Sequence, residues 1–395
     1  MEIQFTQEEI AELVALRRDF HTYPELGFEE LRTAQRVEEE LTTIGCPVER
    51  WCQTGISTVF ESQIPGPTVL LRGDLDALPI QEENTHAYSS KNPGVMHACG
   101  HDAHTAILLG VAKLLHRKGW PEKGKIVLLF QPAEEGRHGA EAVIDAGFLR
   151  KYQPDVCAGL HVWSEADAGV CHVNPGPFMA ATNRFKVNVQ GQGGHGAVPH
   201  SAKDPIVSAA LMITGLQTLV AREVDPAESA VVTVGQFHGG ESFNVIPDAV
   251  FFEGTLRTFS KAVQAHLEMR IADLVEGIAK ATGVTATVEM ERVTLPTVNA
   301  EAPTALMSQI VKRTPGVRLG SNSFRTMAGE DMSFILDQVP GVFFFLGAGN
   351  PAVGAAYPHH HPKFEIDETV LPLGVRLLTE FALESTEASP PSPQG

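Results

Sequence analysis

The sequence predicts an α/β protein in two parts: a mixed, mostly parallel sheet covered by helices, interrupted by an inserted β-α-β-β-α-β unit. Three observations carry this prediction. Short apolar runs at Thr68–Arg72, Lys125–Phe130 and Val156–Val162 alternate with helical stretches at Ala103–Arg117 and Glu141–Arg150. That order is how a parallel sheet buried on both faces is built. Near Asn183 the pattern changes: Phe185, Val187 and Val189 alternate with polar residues, as in a strand with one wet face. After about residue 293 helix and strand alternate again, so the first part is discontinuous.

The elements follow in order. Thr6 and Glu9 form a capping box, and Ile10, Leu13 and Val14 continue at helical spacing toward a stop near His21–Pro24. A second helix is expected from about Glu29 to Ile44, with Ala34, Val37 and Leu41 on one face and Gly45 as its stop. The strands and helices named above come next. The inserted unit reads as a strand from Phe185, a helix at Pro205–Arg222, strands at Ala230–Gln236 and Ala249–Leu256, a helix at Lys261–Ala281, and a strand at Val284–Val293. This is the ferredoxin-like order. The chain then resumes with Ala302–Lys312, Asp331–Leu336, Val342–Leu346 and a last helix at Glu368–Glu384. Expected boundaries are therefore 1–182 with 294–387 for the discontinuous domain, 183–293 for the insertion, and a disordered tail at 388–395, rich in Ser and Pro.

Composition excludes several classes of function. Thirty Lys and Arg stand against 48 Asp and Glu, a formal charge of -18. Such a surface repels phosphate backbones, so nucleic acid and anionic membrane are not expected partners. No uninterrupted apolar run reaches the ~18 residues of a membrane span. The N-terminus has neither a basic stretch nor an apolar core, so no signal peptide is expected. Five scattered cysteines without a CxxC suggest a reducing, cytoplasmic setting rather than a disulfide framework. Sixteen histidines, several bunched together, point to metal.

Four clusters could do chemistry, each where a strand ends or a loop begins, the place where open α/β sheets bind ligands. Asp74 and Asp76 follow the Thr68–Arg72 strand two residues apart, so both carboxylates can point the same way in extended chain. Taken alone, a solvated turn explains them as well. His97, Cys99, His101, Asp102 and His104 place five donors in eight residues just ahead of a helix. Thiolate and imidazole suit zinc or a similar metal. Cys99 as a nucleophile with His101 as base is the competing reading. Glu134 and Glu135 follow the Lys125–Phe130 strand. One can bind metal while the other moves a proton, although paired glutamates are also common on surfaces. His161 closes an apolar run, and His359, His360 and His361 stand together late in the chain. Together Cys99, His101, Glu135, His161 and one of His359–His361 suffice for two metal ions that share ligands, with a carboxylate left for base work.

The ordered motifs extend further. They run from Arg18–Glu30 (Arg-Asp-Phe-His-Thr-Tyr-Pro-Glu-Leu-Gly-Phe-Glu-Glu) through Asp74–Pro79, His97–Asp102, Gln131–Gly136 and Gly159–His161. They continue with Gly193–His200, Phe243–Asp248, Ala328–Phe334 and His360–Phe364. In this combination the chain resembles the metallopeptidase M20 superfamily, specifically its amidohydrolase branch of N-acyl-amino-acid amidohydrolases, hippurate hydrolases and auxin-conjugate hydrolases. The resemblance covers about Ile10 to Leu383. It implies a zinc-peptidase-like catalytic domain with an inserted ferredoxin-like lid that also dimerises. It implies metal ligands at Cys99, His101, Glu135, His161 and His360, the last because the family ligand stands two before Pro362. It implies two divalent ions of the zinc, manganese, cobalt or nickel type, with Glu134 as general base and acid. His195, in a Gly-rich turn, resembles a histidine that stabilises an oxyanion, often across the dimer. Asn244 and Arg257 resemble lid residues that bind a substrate carboxylate. Asp76 is expected behind a metal ligand, orienting it. One departure stands out: Gly196 follows His195 where Ala is usual, which should loosen that loop.

The function expected is hydrolysis of N-acyl amino acids to a carboxylate and a free amino acid by metal-activated water. A small-molecule substrate and a homodimer, or a tetramer, follow from the resemblance. The same chemistry would serve a carboxypeptidase or dipeptidase. A metal- or ligand-binding protein without catalysis is the reading from another class, and it gives no reason for a carboxylate at Glu134 beside a ligand at Glu135.

Overall fold

The computed structural model describes residues 3–387; the tail expected to be disordered lies outside them. The chain forms two compact units. The first comprises residues up to Gly176, Val298–Phe324 and the chain from Phe334, and the second comprises Pro177–Thr297 with Arg325–Ser333.

The first unit is built on an eight-stranded mixed sheet. Its order is Glu49–Trp51, Gly55–Glu61, Lys125–Gln131, Thr68–Asp74, Val156–Asp167, Gly341–Gly349, Val170–His172 and Arg318–Leu319. The four central strands, from Lys125–Gln131 to Gly341–Gly349, run parallel. Their side chains are buried almost without interruption, as expected of strands covered on both faces. The two first strands pair antiparallel at one edge. In Gly55–Glu61, Ser57 and Thr58 interrupt the apolar pattern. Both are nonetheless buried, and Ser57 Oγ accepts the Trp51 indole N–H at 2.9 Å.

Helices follow the expected registers with local corrections. The first spans Gln7–Thr22, and the Thr6–Glu9 capping box is formed. The expected helix at Glu141–Arg150 is two pieces, Gly139–Asp145 and Phe148–Tyr152. Gly147, at φ +98°, breaks it between them. The last helix begins with a 3-10 turn at Glu368–Val370 before running over Leu371–Glu387. The long helix His101–Lys118 is buried on nearly every side. Fully buried Phe and Leu side chains of this core, such as Phe20, Phe130, Phe344 and Leu108, are worth ~1.5–3 kcal/mol each.

The second unit has a four-stranded antiparallel sheet in the order Ala230–His238, Ala249–Thr258, Ala181–Gln190, Thr285–Thr294. Helices Pro205–Glu223 and Lys261–Thr282 complete the β-α-β-β-α-β order. Asp204 caps the first helix by accepting from Ile206 N and Val207 N, and Ser260 caps the second. Burial alternates along Ala181–Gln190, with Phe185, Val187 and Val189 packed on Met212, Leu216, Leu267 and Ile271. Pro205–Glu223 is long and apolar enough to cross a membrane by composition, yet polar residues interrupt it and Ala209, Met212, Leu216 and Leu219 lie in the core of this unit.

Candidate metal centre

The register of the parallel strands assembles the site. Arg72 pairs with Gly159, so two residues further Asp74 and His161 come level. The Val156–Asp167 strand runs well past His161, which therefore sits inside a strand rather than at its end. Asp74 ends its own strand, and Asp76 follows in the loop.

Gly100 positions the next two donors. It precedes the His101–Lys118 helix at φ +94°, and a Cβ there would lie 2.3 Å from Val162 Cγ2. Only glycine meets both conditions, and this close approach holds Cys99 and His101 against the strand of His161. Cys99 Sγ stands 3.4 Å from His161 Nε2. His161 Nδ1 donates to Val162 O at 2.6 Å, which leaves Nε2 with its lone pair toward the thiol.

His101 Nδ1 donates to Asp76 Oδ1 at 3.3 Å, while its Nε2 is buried without a hydrogen-bond partner. Burial lowers the pKa of His101, but Asp74 and Asp76 outweigh it and hold the group well above its usual value. Asp76 does more than face His101. Its two oxygens accept the backbone N–H of Glu134 (3.0 Å) and of Glu135 (2.9 Å). One carboxylate thus fixes both a histidine and the glutamate pair. The Glu135 side chain ends beside the late histidines: its Oε1, buried and without a hydrogen-bond partner, lies 3.4 Å from His360 Nε2.

The three consecutive histidines are sorted by their partners. His359 Nε2 accepts from Ser164 N at 3.1 Å, and its ring packs on Trp163 with centroids 4.7 Å apart. His361 Nδ1 accepts from Lys363 N at 3.0 Å, with its ring stacked on Tyr357. His360 holds φ +64°, donates its backbone N–H to Ala98 O at 2.8 Å, and turns its ring to Glu135.

Two three-donor groups result. The ligand atoms of Cys99, His101 and His161 lie within 4.8 Å of one another, and so do those of Cys99, Glu135 and His360. Cys99 belongs to both. Further such groups join His101 to Glu134 and Glu135, and Asp74 to His101 and His104. The buried bare atoms His101 Nε2 and Glu135 Oε1 are what a cation would satisfy, and the thiol, imidazole and carboxylate set suits borderline divalent metals.

Other residues of the sequence clusters have partners of their own, except His97, whose two ring nitrogens are buried without a hydrogen-bond partner. His104 donates from Nδ1 to Asp74 Oδ1 at 2.6 Å and accepts from Val162 N at Nε2 at 2.9 Å, so both nitrogens are committed. Asp74 Oδ2 also accepts from Arg72 at 2.6 Å. Asp102 accepts from Arg17 Nε and His21 Nδ1, each at 2.8 Å. Burial opposes its ionisation, but Arg17 and His21 prevail and hold it well below the usual carboxylate range. Burial lowers His21, yet Asp102 and Glu82 raise it to about 9. Burial pulls His97 down to about 4.

Glu30 joins the site from the chain just ahead of the second helix. It is fully buried, and Ala133 N donates to its Oε1 at 2.8 Å. Burial, then the nearby Asp76, push it up to about 7. A carboxylate just ahead of a helix gives no local sign of a partner so distant in sequence.

His195, Asn244 and Arg257 belong to the second unit. His195 lies in a short strand pair with Val245, and its Nδ1 accepts from Ala197 N at 3.1 Å. The ring proton therefore sits on Nε2. Gly196 N donates to Asn244 O at 2.8 Å, and a Cβ at Gly196 would come within 2.9 Å of that oxygen. Glycine here draws the two segments together instead of loosening the loop. Arg257 Nη1 donates to Met327 O at 2.8 Å.

Comparison with known proteins agrees with this architecture. Residues 70–384 match the model of peptidase family M20/M25/M40. The chain is 40% identical over 390 residues to N-acetyl-L-cysteine deacetylase of Bacillus subtilis (strain 168), covering 96% of this chain and 90% of that protein. It is 40% identical over 378 residues to IAA-amino acid hydrolase ILR1-like 4 of Arabidopsis thaliana, covering 94% and 84%. Among solved structures, the YXEP protein of Bacillus subtilis, described as a dinuclear metal binding peptidase from the M20 family, superposes with a TM-score of 0.83 at 31% identity, covering 97% of this chain and 99% of that one. With a match over most of its length and relatives at this identity, the chain belongs to peptidase family M20/M25/M40.

Proposed function

We propose that this protein is a metal-dependent amidohydrolase that cleaves N-acyl amino acids to a carboxylate and a free amino acid. The observation that carries the reading is Cys99, shared by two three-donor groups, with Glu134 beside them on the loop that supplies Glu135. Relatives named as a deacetylase and an amino acid conjugate hydrolase support the substrate class.

Cys99, His101 and His161 would hold one divalent ion, and Cys99, Glu135 and His360 the other. Zinc, manganese, cobalt and nickel all suit these donors. Ions bound there supply Lewis-acid polarisation and lower the pKa of a coordinated water. The chain's residues do the rest. Glu134, with its backbone tethered to Asp76, takes a proton from the attacking water and returns it to the leaving amine. Asp76 keeps the proton of His101 on Nδ1 and leaves Nε2 for the metal. His195, whose proton sits on Nε2, is proposed to donate to the developing oxyanion. Asn244 and Arg257 are proposed to bind the α-carboxylate of the amino acid.

The second unit, residues 183–293 of the sequence prediction, is proposed as lid and dimerisation domain. Ile206, Val207 and Leu211 are exposed on its first helix, an apolar surface that suits a homodimer. The five free cysteines support a cytoplasmic setting. A peptidase reading is favoured by the description of YXEP as a peptidase.

Amino-acid release from N-acetyl, N-benzoyl and dipeptide substrates decides between them. Metal-loaded, chelated and Glu134→Ala proteins are compared. Cleavage of acylated amino acids, abolished by chelation and by the substitution, supports the amidohydrolase. Cleavage of dipeptides alone supports the peptidase, and a folded, metal-loaded protein that cleaves nothing refutes both.

A further inference from the structure

Three consecutive amides of the loop that bears Glu134 and Glu135 are received by buried carboxylates. Glu134 N and Glu135 N go to the two oxygens of Asp76, at 3.0 and 2.9 Å. Ala133 N goes to Glu30 Oε1 at 2.8 Å. Glu30 is fully buried, and its other oxygen accepts the hydroxyl of the equally buried Thr54 at 2.8 Å. Its side chain is therefore fixed at both oxygens.

The loop needs such a hold. Ala133 is at φ +58°, a left-handed conformation that brings a Cβ too close to the following carbonyl oxygen. The chain just before Glu30 grips the same loop. Gly27 packs so close to Ala133 that an added Cβ would lie 3.0 Å from its Cα, and Gly27 O accepts from Arg137 Nη1 at 3.0 Å. Ala133 O in turn accepts from Gly139 N at 3.1 Å. Without the Glu30 acceptor, Ala133 would keep a buried, unpaired N–H. It could relieve that cost by leaving the left-handed conformation, which would carry the next two residues with it.

We propose that Glu30 is a positioning residue: with Asp76 it clamps the backbone of Ala133–Glu135, and so sets where Glu134 and Glu135 present their carboxylates. The inference rests on the assignment of Glu135 as a metal ligand and Glu134 as the base. Glu30 touches neither substrate nor metal in this role. It acts through the peptide units of the loop.

The test is titration of apoprotein with Co2+ alone, read by visible absorption and by bound-metal stoichiometry, alongside kcat and KM. Glu30→Ala should weaken the Co2+ equivalent that depends on Glu135 at least tenfold. The equivalent held by Cys99, His101 and His161 should change less than threefold. In turnover, kcat should fall at least tenfold while KM stays within threefold. Glu30→Gln keeps an acceptor for Ala133 N and should return all values to within threefold of wild type. Should Glu30→Ala fail to fold, Glu30→Asp decides, because it keeps the charge but draws the oxygens back by one methylene. Weakened Co2+ binding upholds the proposal, and wild-type binding overturns it. Two further outcomes overturn it: Glu30→Ala with both Co2+ equivalents intact, or Glu30→Gln as damaged as Glu30→Ala. If wild type cleaves none of the acylated substrates, the hydrolase reading fails on its own, and the Co2+ comparison still judges the clamp.

Discussion

Replacing Asp76 should disable metal binding and turnover together, because one carboxylate serves both. Its oxygens accept from Glu134 N, Glu135 N and His101 Nδ1 at 3.0, 2.9 and 3.3 Å, and Asp76 is buried. Hydrogen bonds to a charged acceptor contribute ~1.5–3 kcal/mol each, and a buried donor left without one costs ~1–3 kcal/mol. Asp76→Asn keeps the shape but offers one acceptor oxygen to three donors, and its amide group faces an N–H. The loss of about one such bond from the folded, metal-ready site corresponds to ~1.5–3 kcal/mol, or roughly 10–100-fold in metal affinity at 1.4 kcal/mol per decade. That agrees with the ~10–100-fold typical of losing the partner behind a metal-bound histidine. Asp76→Ala, which leaves all three donors bare, should lose more. The assay is competition with a chromophoric chelator for Zn2+ or Co2+ at fixed pH, with unfolding curves on the same samples to show that the apoproteins are folded. Folded Asp76→Asn protein with metal affinity within twofold of wild type would refute the reasoning.

Glu134→Gln should retain both metal equivalents while kcat drops ~10²–10⁴-fold, the range of a lost general acid–base. Loss of metal along with activity would instead make Glu134 a ligand. His360→Ala should lose one of the two metal equivalents, whereas His361→Ala should keep both; metal analysis of dialysed protein reads this directly, and the opposite ranking would reassign the ligand. Stability should also depend on His21. Its pKa is raised from 6.5 to about 9 by Asp102 and Glu82 against burial, so its contribution is complete below pH 6.5 and is lost as pH rises through 9. At 1.36 kcal/mol per unit the loss is about 3 kcal/mol. Urea unfolding at pH 6.5 and 9.5, with His21→Gln as reference, measures it; equal pH dependence in the two proteins would contradict the assignment.

Much of the candidate site is legible in the sequence because its donors are local. Cys99 and His101 are separated by one glycine ahead of a helix, and Glu134 and Glu135 are neighbours. The residues that share work across long distances are not. His97, His104 and Asp102 have the same donor chemistry as Cys99 and His101. Tertiary partners set two of them apart: Asp74 and Val162 take both nitrogens of His104, and Asp102 is paired with Arg17 and His21. Gly196 was read as a looser alanine, whereas its space is filled by Asn244 O, reached through a strand pair that the local sequence does not announce.

The sequence by itself determined the two-part α/β order, the helix cap at Thr6, and the inventory of donors. Those depend on periodicity and on neighbours a few residues apart, which act in any context. Tertiary structure decided which donors remain for a metal. A histidine nitrogen is spent once a hydrogen bond takes it, and that bond depends on groups brought near by strand register and packing. So Ser164 takes Nε2 of His359 and Lys363 takes Nδ1 of His361, while Nε2 of His360 faces Glu135. The same principle put Glu30 under Ala133: a buried N–H must find an acceptor, and the fold supplies one from about a hundred residues away.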